Sequence, residues 1–545
     1  MNLGVDFGTT RTVVACADRG NYPVVSFLDE RGDAHDWFPS VVAERGGELL
    51  FGFDALAAGA EADGRPSSVV RSFKRLLSDP GAVPGRSVRV GTVTLGLGDL
   101  IERFLVALRD ALATRSNLRG APSLSPSASG PAEKRKRGGG KTVDPLTFRS
   151  VVAVPANAHA AQRFVTLDAF RRAGFAPVAM LNEPSAAGFE YTHRHRATLT
   201  AKRDHVVVYD LGGGTFDASL VRMRGNRHEV LATAGVNQLG GDDFDDVLVA
   251  LVCERAGLTR ADLPADAIQR LSDQCRDAKE RISPTSRRIT IDLEHVLGRP
   301  HPEAVVPVAD FFEACGPLVE RSIEAMVPVM ARLERSTDDG DGTPDEIAGI
   351  YVVGGGSELP IVARALRQRF GRRVHRSPYP SAAIAIGLAI ACDDEAGFEL
   401  ADRYSRTFGV FREAAGGGEI TLDPIFTSDT SLPERRGRRE EADAAPLQFR
   451  RDYRAAHNVG HFRFFECSAV GEDGRPRGDM TVSGDVLFPF DPRLGDVSDL
   501  RAVAVERMGE VPRIEEEYSL DENGIVAVKI RNVDLGYERK FRIGA

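Results

Sequence analysis

The feature that most constrains this chain is an apolar run that ends in an acidic residue and a glycine-rich turn, because it occurs twice. One copy is VVVYDLGGGTFD at 206–217, and the other is LGVDFGTTRTVV at 3–14. Each pattern predicts two short strands joined by a tight β-hairpin turn. Glycine tolerates positive φ and leaves backbone N–H groups accessible, so such a turn can hold phosphate oxygens. One such turn is weak support for a binding role, and the second copy strengthens it.

Two further glycine elements follow the same logic. Gly240-Gly241-Asp242 leads into an apolar helical pattern, and the run IYVVGGGS at 350–357 precedes a helix expected to start near Pro360. The amides at such a helix start can face an anionic ligand. Asp210 and Asp217, at the 206–217 turn, could hold the water molecules of a Mg²⁺ ion.

Composition sets the outer limits. The chain has 545 residues, enough for about three to four ordinary domains. A net charge of −9 gives no electrostatic reason to expect nucleic acid or an anionic membrane as a general partner. Neither a signal peptide nor a membrane span is predicted. Six well-separated cysteines without a C-x-x-C pair indicate reduced thiols and a cytoplasmic location.

The stretch from 116 to 145 differs from its surroundings. It is rich in Ser, Pro and Gly, has almost no large apolar residues, and contains the basic run KRKR at 134–137. Such a composition cannot bury enough surface to fold, so it predicts a disordered surface insertion. The basic run is interpreted as a solvated charge cluster, with a targeting or nucleic-acid patch as the alternative.

The pattern changes after about residue 394. Short strand-like runs alternate with turn signals such as DENG at 521–524 as far as the end of the chain. Regular short strands of this kind predict a β-sandwich, here at 405–545. The chain therefore combines an α/β part with an all-β part.

Several motifs, taken together, resemble one known family. GVDFGTTRTVVA, VPANAHAAQR, NEPSAAGFEY, VVYDLGGGTFDASLV, LGGDDFDD and VVGGGSELP resemble the nucleotide-binding domain of the 70-kDa heat-shock (DnaK-type) chaperones. TSDTSLPER and VPRIEEEYSLDENGIVAVKI resemble parts of the peptide-binding β-sandwich of that family. The resemblance implies a two-lobed, actin-like ATPase of duplicated ribonuclease-H-like fold at 1–395, an interdomain linker at 396–404 and a substrate-binding sandwich at 405–545.

The resemblance also implies site residues. Those implied to act in phosphoryl transfer are Asp6, Lys74, Glu183, Asp210, Thr215 and Asp217. Those implied to hold ATP or ADP are Gly8, Thr9, Thr10, Arg11, Gly212, Gly213, Gly214, Thr215, Gly240, Gly241, Asp242, Lys279, Glu280, Ser283, Gly354, Gly355, Gly356, Ser357 and Glu358. Asp6 and Asp210 are implied to hold Mg²⁺ through water, and Pro155 and Arg163 to relay the nucleotide state to the sandwich. Such a site works by positioning and electrostatics.

Three departures from the family pattern stand out. Glu280 and Glu358 occupy positions where the family has arginines that stack on adenine, so the adenine site is expected to be altered. The linker run GFELAD at 397–402 is only half apolar. The chain stops at Ala545, just after the predicted sandwich, so a member without the helical lid is expected.

Two hypotheses for the function remain. The first is an ATP-hydrolysing chaperone that couples hydrolysis to the binding of unfolded segments in a stress response, as a cytoplasmic monomer, with J-domain and nucleotide-exchange partners. The second is a nucleotide-gated scaffold or regulator with low ATPase activity and one dedicated protein partner. A small-molecule kinase and an actin-like filament are less favoured, since neither has a use for the β-sandwich.

Overall fold

The computed structural model describes residues 1–60, 68–79, 81–119, 148–331, 346–414, 418–434, 445–509 and 511–545. Most of the predicted insertion, from residue 120 onward, lies outside these residues. Its first four residues, 116–119, form an ordered turn in which Ser116 is buried and pairs with Phe27. The start of the insertion was therefore predicted too early.

The described residues form strands and helices in a mixed α/β arrangement. The strands are β1 (Asn2–Phe7), β2 (Arg11–Cys16), β3 (Phe27–Leu28), β4 (Ala34–His35), β5 (Phe38–Pro39), β6 (Val41–Arg45), β7 (Glu48–Phe51), β8 (Ser68–Arg71), β9 (Ser87–Val90), β10 (Val93–Gly96), β11 (Phe148–Val154), β12 (Phe175–Asn182), β13 (His205–Leu211), β14 (Phe216–Arg224), β15 (Arg227–Val236), β16 (Arg288–Ile291), β17 (Ala304–Pro307), β18 (Ile347–Val353), β19 (Val374–Arg376), β20 (Glu399–Ala401), β21 (Thr407–Ala414), β22 (Glu419–Phe426), β23 (Leu447–Arg454), β24 (Val459–Val470), β25 (Pro476–Pro489), β26 (Arg513–Leu520), β27 (Val526–Asn532) and β28 (Tyr537–Arg542). The helices are α1 (Phe53–Ala60), α2 (Leu97–Thr114), α3 (Ala160–Arg172), α4 (Glu183–His195), α5 (Gly241–Ala256), α6 (Ala265–Glu280), α7 (Leu293–Leu297), α8 (Val308–Met330), α9 (Pro360–Phe370) and α10 (Ala383–Cys392).

Two sheets share one topology. The first has the order β12-β11-β1-β2-β5, and the second has the order β19-β18-β13-β14-β15-β20. In each, the strand that enters a glycine turn pairs antiparallel with the next strand and parallel with a later one. Both predicted hairpins are therefore present, at β1–β2 and at β13–β14. The repeated order brings the two glycine turns to equivalent edges of two equivalent sheets.

Helix α10 packs closely on the first sheet. A Cβ at Gly4 of β1 would overlap the backbone of Ala385 and Ala389, and a Cβ at Gly387 would overlap the carbonyl group of Ala186 in α4. These contacts need glycine because two backbones approach each other without a side chain between them. The close approach fixes β1, and with it the first glycine turn, relative to the neighbouring helices.

The last part of the chain forms two four-stranded antiparallel sheets. Their orders are β22-β21-β24-β25 and β23-β26-β27-β28, so the strand-like runs predicted after residue 394 do form strands. Phe408 and Phe464 of one sheet share a buried cluster with Tyr518 and Val528 of the other. The two sheets therefore pack face to face through an apolar core.

The predicted linker at 396–404 contains strand β20. This strand pairs in parallel with β15 at the edge of the second α/β sheet, with His228 opposite Leu400. Phe398 packs against His228 and Phe189, which keeps the segment in contact with the sheet. The half-apolar run is thus enough to attach this segment to the α/β part of the molecule.

Candidate functional site

The two glycine turns lie against each other. A Cβ on Gly213 would contact the Thr10 side chain at 3.0 Å, and one on Gly214 would contact Thr9 at 3.1 Å. A Cβ on Gly240 would lie 2.5 Å from the backbone nitrogen of Gly214. The amides of Gly241 and Asp242 donate to the carbonyl groups of Gly212 and Gly213, which joins the start of α5 to the second turn. Glycine is needed here because the turns interlock.

The glycine element at 350–357 closes the same region. Gly354 has a φ of +84°, and a Cβ there would overlap Oδ1 of Asp210. A Cβ on Gly356 would lie 2.6 Å from the carbonyl oxygen of Gly212. Ser357 is buried and donates to the carbonyl group of Gly354, which holds the turn together. The elements predicted separately from the sequence therefore meet at one place.

A cavity of about 720 Å³ lies between these elements. Its walls include most of the predicted site residues, namely Asp6, Gly8, Thr9, Thr10, Arg11, Lys74, Glu183, Asp210, Gly212, Gly213, Thr215, Gly241, Asp242, Lys279, Glu280, Gly354, Gly355, Gly356 and Glu358. The predicted residues outside its walls are Gly214, Asp217, Gly240, Ser283 and Ser357. Gly214 and Gly240 are packed behind the wall, and the hydroxyl group of Ser283 lies beside those of Thr285 and Ser286.

Lys74 projects into the cavity from a short 3₁₀ turn at Phe73–Ser78. Before this turn, Ser68–Arg71 forms β8, whose β-branched residues pair with β6. Ser72, at φ 53°, then reverses the chain. Phe73 packs on Phe104 beneath the turn. The Lys74 side chain is buried, and its Nζ lies 3.0 Å from Oε1 of Glu183.

Four buried carboxylates surround this lysine. They are Asp6, Glu183, Asp210 and Asp217. Burial, and secondly the charge of Glu183, raise the pKa of Asp6 to about 7 and the pKa of Asp217 to about 8. The same causes raise the pKa of Asp210 well above its usual value. Burial disfavours the charged form of Lys74, but Glu183 and Asp6 outweigh it and raise the pKa of the lysine. The cluster holds more negative charge than one lysine can balance.

This excess charge fits a bound cation. Oδ1 of Asp210 is buried without a hydrogen-bond partner, although buried carboxylate oxygens are normally paired. Among the described residues, no three His, Cys, Asp or Glu side chains are grouped closely enough to ligate a metal ion. The arrangement suits a hydrated Mg²⁺, which keeps several of its waters and needs only one or two carboxylates. Asp6 and Asp210 are the residues that would hold those waters.

The opposite end of the cavity carries ion pairs. Lys279 donates to the carbonyl group of Gly241 and pairs with Asp245 at 2.6 Å. Glu280, the last residue of α6, pairs with Arg11 across the cavity. Glu358 lies 3.6 Å from Arg376. Each glutamate at a position where the resemblance implied an arginine thus has an arginine partner from elsewhere in the chain.

Several residues of the site were not singled out from the sequence. Asp242 accepts a hydrogen bond from Ser72 at 2.7 Å and from Arg276 at 3.0 Å. Arg276 also donates to Asp245, a buried acid whose pKa is raised chiefly by burial. Asp245 lies within the LGGDDFDD motif, three residues after Asp242, and this helical spacing was the available signal. Arg276 and Ser72 gave no local signal, because their roles depend on residues far away in the chain.

Asp217 lies behind the cavity and connects to the β-sandwich. The backbone amides of Ala156 and Asn157, which follow Pro155, lie near its carboxylate and partly offset the rise in pKa that burial causes. Asn157 Oδ1 accepts from Nη1 of the fully buried Arg406 at 3.2 Å, and the same Nη1 donates to Asp479 at 2.9 Å. Pro155 therefore begins the turn that lies between Asp217 and two residues of the sandwich part, Arg406 and Asp479.

A second connection passes through Arg163. Its guanidinium is buried and donates to Oδ1 of Asn182 at 2.6 Å, and Asn182 directly precedes Glu183. Nδ2 of Asn182 donates to Asp402 at 3.0 Å, and Arg163 also donates to the carbonyl group of Asn523 at 3.4 Å. One buried polar network thus contacts the neighbour of Glu183, the 396–404 segment and the last hairpin of the sandwich.

No helix among the described residues is long and apolar enough to cross a membrane. All six cysteines are free and buried.

Comparison with known families places this site in context. The family model described as "Hsp70 protein" matches residues 139–405. The match contains Glu183, the second glycine turn, the glycine element at 350–357, and Pro155 and Arg163, which were predicted to relay the nucleotide state. Three parts of the site precede the matched range, namely Asp6, the first glycine turn and Lys74. The fold brings them to the walls of the same cavity. Family membership implies nucleotide binding, typically with Mg²⁺, and, in general terms, polypeptide clients and co-chaperones. Through residues 139–405, the chain belongs to the Hsp70 family.

Proposed function

We propose that this protein is an ATP-binding and ATP-hydrolysing chaperone of the 70-kDa heat-shock type. ATP hydrolysis would change the affinity of the β-sandwich for extended segments of unfolded proteins. The observation that carries the proposal is the buried Lys74–Glu183 pair, which lines a cavity bounded by three glycine elements and lies one residue from the Arg163 network. The catalytic residues would thereby be in direct contact with the network that leads to the β-sandwich.

The proposed organisation is a two-lobed, actin-like nucleotide-binding domain at 1–395, a linker at 396–404 and a substrate-binding sandwich at 405–545. The shared strand order of the two α/β sheets supports a duplicated fold. The separate core between the last two sheets supports an independent sandwich. The strand pairing of β20 with β15 supports a linker that associates with the nucleotide-binding domain.

The proposed chemistry is transfer of the γ-phosphoryl group to water. Backbone amides of the two interlocked turns would bind the phosphates, and Lys74 would stabilise the charge that develops on the transferred group. Thr215 and Glu183 would position the attacking water, and Asp217 would hold the adjacent 155–157 turn. When bound, Mg²⁺ would supply electrostatic neutralisation of the phosphates. The low exposure of the lysine and the acids strengthens every one of these interactions, because little water screens them.

The proposed coupling uses the two buried connections. A shift of Glu183 would move Asn182, which is bonded to both Arg163 and Asp402. A shift of Asp217 would move Asn157, which is bonded to Arg406. Buried polar groups that lose a partner cost about 1–3 kcal/mol each, so a small displacement at the cavity can change the stability of the sandwich contact.

Titration calorimetry with ATP and ADP in the presence of Mg²⁺, repeated with a saturating unfolded peptide, tests the proposal. We expect the peptide to weaken ATP binding, and ATP to weaken peptide binding by the same factor, since coupling is reciprocal. An Arg163→Ala variant should reduce this factor, and Arg171→Ala on the exposed side of α3 serves as the control. Peptide affinity that is the same with and without ATP would exclude the coupling.

A nucleotide-gated regulator with one dedicated partner is the second candidate. It is favoured by the complete burial of Arg406 and Glu466 between the sandwich and the α/β part, which resembles a fixed interface more than an exchangeable one. Capture experiments distinguish the two functions. Many unfolded clients bound in an ATP-sensitive manner support the chaperone, and one folded partner at fixed stoichiometry supports the regulator.

The family relation also supports J-domain proteins and nucleotide-exchange factors as partners to test first. A cytoplasmic location, a monomeric state and a role in the stress response belong to the same proposal.

A further inference from the structure

The side chain of Arg11 leaves the first glycine turn and extends to the far end of the cavity. Arg11 is the first residue of β2, so its backbone lies at the turn. Its guanidinium donates to the carboxylate of Glu280, at the last turn of α6. The guanidinium carbon also lies 4.7 Å from the ring centroid of Trp37. One residue therefore connects the phosphate turn with the end of the cavity that carries the ion pairs.

Arg11 also separates two cavities. The 720 Å³ cavity includes Glu280 in its walls but not Trp37, and a neighbouring cavity of about 860 Å³ includes Trp37 but not Glu280. Arg11 contributes to the walls of both. The Arg11 side chain thus lies between the two cavities, and the indole of Trp37 lies on the side of the second one.

The contacts of this guanidinium fix its orientation. A carboxylate binds a guanidinium at its edge, in the plane of the group, while an aromatic ring packs on its face. Here Nη2 of Arg11 donates to Glu280, and the guanidinium carbon lies over the ring of Trp37. Among the arginines that line the 720 Å³ cavity, Arg11 alone has an aromatic partner in the described part of the chain. The group is therefore held in place before any ligand binds.

We propose that the Arg11 guanidinium, held between Trp37 and Glu280, is the surface on which the base of the bound nucleotide stacks. In this arrangement Glu280 holds the Arg11 guanidinium in place for stacking, although Glu280 itself replaces an arginine of the family pattern. The inference rests on the proposed nucleotide function and names the residue that recognises the base. A flat cation backed by an indole suits any purine, because every base presents a π face to it.

The chain supplies its own reporter, since Trp37 is its only tryptophan. We expect Mg–ADP to change the emission of Trp37, because the base packs on the guanidinium that covers the indole. Mg–tripolyphosphate, which has phosphates but no base, should bind by calorimetry and leave the emission unchanged. The two ligands therefore separate the base end of the site from the phosphate end.

Arg11→Lys keeps the charge and the backbone amide but removes the planar group. We expect the affinity for Mg–ADP to fall about three- to tenfold, in line with the strength of cation–π contacts, while the affinity for Mg–tripolyphosphate stays within about twofold. Glu280→Gln should give a smaller loss of the same kind. Arg369→Lys, on an exposed position of α9 outside both cavities, is the matched control and should change neither affinity.

Two results would overturn the inference. In the first, Arg11→Lys weakens both ligands equally, or neither. In the second, saturating ADP leaves the emission of wild-type Trp37 unchanged, and this result needs no variant to fold. If wild-type protein binds neither Mg–ADP nor Mg–tripolyphosphate, the proposed nucleotide function itself fails. If tripolyphosphate binds and ADP behaves no differently from it, the phosphate site stands and only the assignment of the base to Arg11 is wrong.

Discussion

The two ends of the cavity are built in different ways. At the end proposed to bind phosphates (the phosphate end), Asp6, Lys74, Glu183 and Asp210 are each no more than 8% exposed, and the walls are interlocked glycine backbones. At the end proposed to bind the base (the base end), the side chains of Glu280 and Glu358 are 39% and 49% exposed, and the walls are ion pairs. The difference shows that one cavity can combine a rigid site set by backbone packing with a solvated site set by pairing of charges.

This difference has energetic consequences. Buried charges interact strongly, so the removal of one partner leaves an uncompensated charge that costs about 3–5 kcal/mol. Exposed ion pairs are screened by water and typically contribute about 0–1 kcal/mol. Perturbations of equal chemical size should therefore have large effects at the phosphate end and small effects at the base end.

Removal of Mg²⁺ should produce the largest effect. Without a cation, the buried carboxylates of Asp6, Glu183 and Asp210 would face the phosphates with one lysine to balance them. We expect the affinity for ATP to fall on the order of a thousandfold, about 4 kcal/mol, when Mg²⁺ is chelated. Calorimetry with EDTA measures this loss. An affinity that is unchanged by EDTA would show that the acids do not carry a cation.

Gly354→Ala tests the interlocked backbone. The new Cβ would overlap Asp210, and φ at +84° is unfavourable for alanine. We expect the free energy of unfolding to fall by about 3 kcal/mol, from the combined strain and overlap. Gly85→Ala, at an exposed position before β9, is the control, because a Cβ there meets no atom within 4 Å and its φ is not positive, so alanine should be neutral or stabilising. Equal stabilities of the two variants in urea would contradict the packing described for the cavity.

His228 tests whether burial alone, away from the cavity, gives a charge a large effect on the free energy of unfolding. It is stacked on Phe189 beside the 396–404 segment, and burial lowers its pKa to about 3. The folded state favours neutral His228, whereas the unfolded chain takes up a proton below pH 6.5. Its contribution to stability is therefore complete above pH 6.5 and is lost as the pH falls towards 3.

At pH 5, we expect this residue to reduce the free energy of unfolding by about 2 kcal/mol relative to pH 7. The measurement compares urea unfolding of the wild type and His228→Gln at both pH values. The variant should lose about 2 kcal/mol less than the wild type between pH 7 and pH 5. The same pH dependence in both proteins would mean that His228 is protonated when folded.

Glu358→Gln should produce the smallest effect. Its partner Arg376 is 3.6 Å away, and both side chains are more than a third exposed. We expect the free energy of unfolding to change by less than about 0.5 kcal/mol, because solvent screens the pair. A thermal melt against the wild type measures it. A loss of 2 kcal/mol or more would show that the base end is as tightly constrained as the phosphate end.

The same contrast explains what could be predicted from the sequence. The hairpins at 3–14 and 206–217 were predictable because glycine turns between apolar runs are local patterns. The eight strands of the sandwich were predictable for the same reason. Most of the predicted site residues lie around one cavity. This could be expected from the resemblance of whole motifs to a known family, because a family resemblance implies a three-dimensional arrangement and residue spacing alone does not.

What escaped prediction depends on partners distant in sequence. Glu280 was interpreted as the loss of an arginine that stacks on adenine. Its partner Arg11 could not be foreseen because it is 269 residues away in the chain. Strand β20 was placed in a linker because three residues carry too little periodicity to predict a strand on their own.

ATP turnover by the wild type and by Lys74→Ala, measured side by side with saturating Mg²⁺, tests the central claim most directly. If Lys74 stabilises the charge on the transferred phosphoryl group, the variant should lose roughly 10²–10³-fold in turnover, while a fluorescence or calorimetric titration still detects bound nucleotide. Equal turnover in the two proteins would contradict a hydrolytic role for this cavity.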